Sequence, residues 1–261
     1  MTNSKHNMNY VVITGASSGL GHAIATEYAK RGWRVGIAAR RSDRLALLQK
    51  EYPELIEYER IDITEPGAPC QLMKLITKLG GMDIFIQAAG VGRQNPQLEQ
   101  EIERPTLMTN CIGFTAMLDT AFKYFTSTQR NTPGHIVAIT SIAGTKGLGM
   151  AASYSASKRY ESTYIDALEQ LSHIKNVKLK FTDIRPGFIA TDLLNKANHY
   201  PLLMSVSDVV PRIIRAIDRH KRVAIINRRW WWVVQAWRCI PRCLWIRVKA
   251  TTRTHDKTAT T

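Results

Sequence analysis

The sequence predicts an α/β fold, a doubly wound parallel sheet followed by an amphipathic C-terminal tail. Three observations predict it. Short apolar runs recur along the chain, stretches with helical periodicity separate them, and each run is continuous rather than alternating. Continuous runs are the pattern of strands that helices cover on both faces.

The first run, YVVITG at 10–15, leads into a glycine-rich turn. Leu20, Ala23, Ile24 and Tyr28 then recur at helical spacing until Gly32 stops the helix, and RVGIAAR at 34–40 completes a strand–helix–strand unit. The later runs are MDIFIQAAG at 82–90, GHIVAITS at 134–141, KLKFTDIRPG at 178–187 and RVAIIN at 222–227. Ser207 and Asp208 read as the start of the helix DVVPRIIRAIDRH, with Pro211 in its first turn. Residues 1–227 show no repeat, low-complexity linker or compositional break, so they are expected to form a single domain to which 228–261 is an addition.

A chain of 261 residues with 44% hydrophobic content suits one large α/β domain. The net charge of +15 is concentrated at the end: from Arg212 onward thirteen Lys/Arg face only Asp218 and Asp256. The bulk of the chain is therefore near-ordinary in charge, which argues against a nucleic-acid-binding domain. The start, MTNSKHNMN, lacks the apolar core of a secretory signal, and a cytoplasmic protein is expected. Cys70, Cys111, Cys239 and Cys243 include no CxxC pair, so they read as reduced thiols rather than metal ligands or a disulfide framework.

In TGASSGLG, Thr14 to Gly21, the glycines allow close backbone approach to a pyrophosphate, and the helix that follows offers unpaired N–H groups to it. The spacing of Gly15, Gly19 and Gly21 is TGxxxGxG, with Ser17, Ser18 and Leu20 completing the turn. It resembles the short-chain dehydrogenase/reductase family, whose fold is Rossmann-type. At the end of the second strand, where an acidic residue would accept hydrogen bonds from a ribose 2′-OH, this chain has Arg40 and Arg41. A guanidinium suits a 2′-phosphate, so the expected cofactor is NADP(H), the alternative being two solvated arginines that begin a loop. The resemblance further implies that Asp62 in RIDIT contacts adenine and that Ala89 and Gly90 line the cofactor. Gln87 stands where the family usually has an asparagine, which leaves open whether a side chain there ties neighbouring strands.

In SYSASK, Tyr154 and Lys158 are four apart, on one face of a helix. An ammonium held beside a phenol favours the phenolate, which would let Tyr154 act as acid and base. A YxxxK pair alone is common on surface helices, and three companions single this one out. The resemblance implies that Ser141 hydrogen-bonds the substrate oxygen and that Asn110 holds a water in a proton relay to Lys158. It also implies that Pro186, Gly187 and Thr191 form the loop over the nicotinamide. The implied reaction is reduction of a carbonyl to a secondary alcohol, or its reverse, by a dimer or tetramer. The alternatives are a reductase of small soluble ketones or aldehydes and, from a different class, a cofactor-binding sensor or scaffold without turnover.

The region DLLNKANHYPLLMSVS, Asp192 to Ser207, is expected to form an apolar lid over a hydrophobic carbonyl substrate through Leu193, Leu194, Tyr200, Leu202, Leu203 and Met204, with Lys196 and His199 near a polar head or in solvent. In the tail, Trp230, Val233, Val234, Trp237 and Ile240 fall within about 120° of one helical face. Pro241 then interrupts, and Leu244, Trp245 and Ile246 continue among arginines. Tryptophan at the headgroup level and arginine beside anionic lipid make Arg228–Lys249 read as an interfacial anchor on a membrane's cytoplasmic face, the alternative being packing on the protein or on a second copy. The tail and lid together loosely resemble membrane-associated members of the family that reduce keto-lipids or steroids.

Overall fold

The computed structural model describes residues 9–128, 132–191, 194 and 200–248. Seven parallel strands form one sheet in the order β3-β2-β1-β4-β5-β6-β7. They are β1 (Tyr10–Thr14), β2 (Arg34–Ala39), β3 (Ile56–Arg60), β4 (Ile84–Gln87), β5 (Gly134–Ile139), β6 (Leu179–Arg185) and β7 (Val223–Ile225). The helices are α1 (Gly19–Lys30), α2 (Ser42–Glu51), α3 (Ala68–Leu79), α4 (Gln100–Leu107), α5 (Phe114–Ser127), α6 (Ala152–Ile174), α7 (Val206–Asp218), α8 (Arg228–Cys239) and the single turn α9 (Arg242–Trp245).

The continuous apolar runs are explained by two cores. Val11 and Ile13 of β1 join α1 and α7 on one face, while Val12 between them joins α3 and α5 on the other. Phe85 of β4 likewise points opposite to Ile84 and Ile86. Gly36 of β2 makes room on the α3 side: a Cβ there would lie 3.2–3.3 Å from Leu79, Val12 and Leu75. Strand order reverses between β1 and β4, and in such a sheet the crevice at the carboxyl ends beside the reversal is where ligands bind.

Three details of the expected organisation change. The strand β3 was not among the predicted runs, because as an edge strand it carries charges rather than a continuous apolar sequence: Glu57 pairs with Lys78 at 2.9 Å and Glu59 with Lys74 at 3.1 Å. The helix α7 starts earlier than Ser207. Ser205 is its cap, accepting from Asp208 N at 3.1 Å, which moves Pro211 beyond the first turn. Within the expected lid, Asp192, Leu193, Lys196 and His199 lie outside the described residues. Met204 is not a lid residue: it bridges Ile189 and is buried in the core, while Leu203 is half exposed.

The tail is the largest correction. The stripe expected to face a bilayer turns inward. Trp230 and Val234 are 3% and 0% exposed and belong to the core, with Val233 and Trp237 packed against it. Asn227 caps α8, its side chain accepting from Arg229 N at 2.9 Å. Further on, Trp245 Nε1 donates to Gly147 O at 2.9 Å and Lys146 Nζ to Ile240 O at 2.9 Å, which ties this part of the tail to the segment after β5. A stripe that finds a complementary apolar surface on its own chain gains the same burial a bilayer would offer, at lower entropic cost.

Candidate active site at the carboxyl edge of the sheet

The predicted residues converge where β1, β4, β5 and β6 end. The turn after β1 presses on the end of β4: a Cβ on Gly15 would lie 2.5 Å from Ala89 N, and its φ of 70° also requires glycine. Gly21 lets the first turn of α1 sit on Gly15, since its Cβ would be 2.4 Å from Gly15 O. Gly19 faces Thr191, whose Cγ2 is 3.4 Å from the position of a Cβ. Ser18 makes no side-chain cap on α1. Its hydroxyl instead accepts from Arg41 Nη2 at 2.8 Å, and Ser17 Oγ accepts from the same nitrogen at 3.0 Å. Arg41 thus lies over the turn, and Arg40 follows the end of β2; both are exposed. The first-turn amides of α1 are left without a side-chain cap beneath a guanidinium, an arrangement suited to phosphate.

Gln87 does tie the strands: its Oε1 accepts from Thr14 Oγ1 of β1 at 2.7 Å, so the longer amide reaches the neighbouring strand. Asp62 sits beside the end of β2, because Ile61 N donates to Ala39 O at 3.0 Å. Its carboxylate accepts from Thr64 N and Thr64 Oγ1 at 3.0 and 2.8 Å and shapes the turn before α3.

Asn110 lies in a π-helical turn, Met108–Gly113, between α4 and α5. Such turns insert a residue and rotate one side chain inward, often at functional sites. The amide is fully buried and both of its ends are engaged. It accepts from Val91 N at 2.9 Å and donates to Val91 O at 2.7 Å and to Ser157 Oγ at 3.0 Å.

Tyr154 and Lys158 occupy one face of α6, with Lys158 Nζ 5.8 Å from the phenol ring centre. Gly92 backs the ring, because a Cβ there would lie 2.3 Å from it. Lys158 is 5% exposed, and a Cβ on Gly90 would be 3.3 Å from its Nζ and 3.4 Å from Asn110 Oδ1, so these three residues meet at one point. Ser141, at the end of β5, accepts from Ala143 N at 3.1 Å and opens a short 3₁₀ turn, Ile142–Thr145. That turn rests on α6 through Gly144, whose missing Cβ would be 2.8 Å from the Lys158 backbone.

Two residues of this neighbourhood carry no motif. Glu161 is fully buried, and both its oxygens accept from Lys158 Nζ at 2.9 Å. It stands seven residues beyond Tyr154, on the same helical face, so the i, i+4, i+7 pattern was its only sequence signal. Trp230 packs directly on Gly187: a Cβ on Gly187 would lie 2.3 Å from the indole Nε1. The same ring meets Phe188 edge-on at 5.7 Å. The tail therefore buttresses the Pro186-Gly187 loop, which sequence distance gave no means to anticipate.

Residues 9–201 match the family model described as short chain dehydrogenase. An uncharacterised oxidoreductase of Myxococcus xanthus is 33% identical over 216 residues, 80% of this chain and 83% of that protein. A short chain dehydrogenase of Burkholderia cenocepacia in complex with NADP superposes with a TM-score of 0.79 at 20% identity, over 94% of this chain and 98% of that one. The actinorhodin polyketide ketoreductase with NADPH superposes with a TM-score of 0.64 at 26% identity, over 72% and 73%.

The packing of Trp230 generates a direct expectation. Trp230→Ala should cost about 3–5 kcal/mol of stability, as large-to-small changes of buried aromatics do, and lower the melting temperature accordingly. Trp232→Ala, at a residue 65% exposed on the same helix, should leave it within about 0.5 kcal/mol. Equal melting temperatures for the two variants would show that α8 does not dock.

Proposed function

The chain belongs to the short-chain dehydrogenase family, and on that premise we propose that it is an NADP(H)-dependent oxidoreductase that reduces a hydrophobic ketone to a secondary alcohol. The observation that carries this reading is the placement of Tyr154 and buried Lys158 on one face of α6, at the edge where the glycine turn and Arg41 suit a dinucleotide phosphate. The turn fits NADP(H) because Gly15 and Gly21 leave no room for side chains and the first amides of α1 are free of side-chain caps. Arg41, with Arg40 beside it, would hold the 2′-phosphate, and Ser17, Ser18 and Leu20 would line the pyrophosphate. Asp62 would face the adenine, Ala89 and Gly90 the ribose, and Pro186, Gly187 and Thr191 the nicotinamide. The polyketide ketoreductase that resembles this chain is one solved with NADPH, which supports the cofactor choice.

When bound, NADPH supplies a hydride to the carbonyl carbon. Tyr154 gives its phenolic proton to the oxygen that becomes the alcohol, Ser141 donates a hydrogen bond to that oxygen, and Lys158 stabilises the phenolate left behind. Asn110, engaged with Val91 and Ser157, braces the wall behind Lys158 and would give the proton path its shape. Phe188 and Tyr200, whose rings lie 4.9 Å apart, and exposed Leu203 supply an apolar mouth beside the nicotinamide loop.

Tyr154→Phe should leave NADPH affinity unchanged and lower turnover of a panel of hydrophobic ketones by at least ~10²-fold, the usual cost of losing a positioned acid. Near-normal turnover in that variant would remove Tyr154 from the chemistry. Tight NADPH binding by the wild type with no turnover of any ketone would favour the sensor reading.

The exposed side of the tail supports a second element of this reading, peripheral attachment to an anionic membrane on its cytoplasmic face. Among the described residues no helix is long and apolar enough to cross a membrane. Trp231 and Trp232 are 44% and 65% exposed, and Leu244 and Ile246 are 54% and 71%, among Arg228, Arg229, Arg242 and Arg247. Exposed tryptophan with arginine suits the headgroup region. A second copy of the chain in a homo-oligomer could cover the same face. Substituting Trp231 and Trp232 together by serine should abolish flotation with phosphatidylserine vesicles and keep NADPH binding and subunit mass in solution. Unchanged flotation would end the membrane reading, and a changed mass would assign the face to the oligomer.

A further inference from the structure

The geometry points to Glu161 as a positioning residue of the reaction: its carboxylate holds the Lys158 ammonium from behind and keeps it charged while it faces the phenol and the cofactor ribose. This rests on the reading of Lys158 given above.

The ion pair is enclosed. Lys158 and Glu161 are 5% and 0% exposed, and both carboxylate oxygens accept from Nζ at 2.9 Å, in a bidentate hold rather than a passing contact. Nζ also donates to Ile139 O at 3.3 Å, the last carbonyl of β5. An ammonium this deep would lose its proton easily if burial acted alone. Burial does oppose its charge, but Glu161, Tyr154 and Asp183 more than offset it, and the balance lies above the ordinary lysine value. Glu161 is in turn pushed up to about 7, by its own burial and by Asp183, against the pull of Lys158. The other groups facing the pair are accounted for. Asp183 of β6 is held by Arg185 at 2.6 Å and accepts from Thr140 Oγ1 at 2.5 Å, and Cys111 of the π-turn is a thiol kept protonated by burial and by Glu161. Glu161 is thus the carboxylate in direct contact with the ammonium.

Below about pH 7 Glu161 takes up a proton and the wild type approaches the state of a neutral amide at this position. Above it the carboxylate is ionised and raises the affinity of Lys158 for its proton, so removing the carboxylate should let the ammonium discharge at lower pH.

The test is NADPH affinity, followed by nucleotide fluorescence from pH 6 to pH 10, on the wild type, Glu161→Gln, Glu161→Asp and Lys158→Ala. In Glu161→Gln affinity should fall several-fold as the pH rises toward 10, whereas the wild type, whose ammonium discharges above that range, should hold its affinity across it, and the two should be similar at pH 6. Glu161→Asp, which keeps the charge, should return the profile toward the wild type. A merely structural residue would weaken binding equally at every pH, and an unshifted profile in Glu161→Gln alongside weakened binding in Lys158→Ala overturns the inference alone. Wild-type affinity in Lys158→Ala would instead remove the role of the lysine. If Glu161→Gln folds poorly, the double variant Lys158→Met/Glu161→Gln, which removes both charges, should regain the wild-type melting temperature. A double variant as unstable as the single would overturn the proposal.

Discussion

A buried ammonium is costly, and much of the site is arranged around the one at Lys158. The side chain lies where the end of β5, the π-turn and α6 meet, and it is held there by glycines that stand aside. Gly90 leaves space beside Nζ and Gly144 lets the 3₁₀ turn rest on the Lys158 backbone. Ser155, Ser157 and Ser162 are small, buried residues on the same helix that let α6 approach its neighbours, and Ser157 also receives the Asn110 amide. A lysine in this position needs a counter-charge to remain protonated, and Glu161 answers that need from the next turn of the same helix. The position of Tyr154, between Gly92 and the ammonium, follows from the same packing.

The parts of this arrangement that could be read from the sequence are those in which chemistry and local geometry coincide. Gly15 and Gly21 each meet a backbone that leaves no room for a Cβ, and Gly15 and Gly19 take a left-handed φ that favours glycine, so the spacing of the three records the turn. Tyr154 and Lys158 were readable because helical periodicity is local. Strand β3 was missed because an edge strand with Glu57 and Glu59 facing lysines has no continuous apolar run. The inward face of α8 is not legible in the sequence for a physical reason of the same kind: periodicity identifies an apolar face and says nothing about which surface covers it. Glu161 was passed over because a glutamate on a helix is ordinarily solvated, and only the crossing of α6 with β5 and β6 makes it a buried partner.

The tail consequently has two faces with different consequences. Its inner face, led by Trp230, fills the space that Gly187 leaves and so connects α8 to the Pro186-Gly187 loop. Its outer face carries Trp231 and Trp232 with arginines around them, a composition that core packing does not require. An attachment through the outer face would place its partner one helix diameter from that loop.

The central test is whether a dinucleotide bearing a 2′-phosphate binds under Arg41 with its reactive end beside Lys158. Titration of the wild-type protein with NADPH and with NADH at one ionic strength measures this. NADPH should bind at least about tenfold more tightly, with most of that preference lost in Arg41→Ala, as expected when a charge-assisted contact to the 2′-phosphate is removed. Equal affinity for the two nucleotides, or tighter binding of NADH, would contradict it.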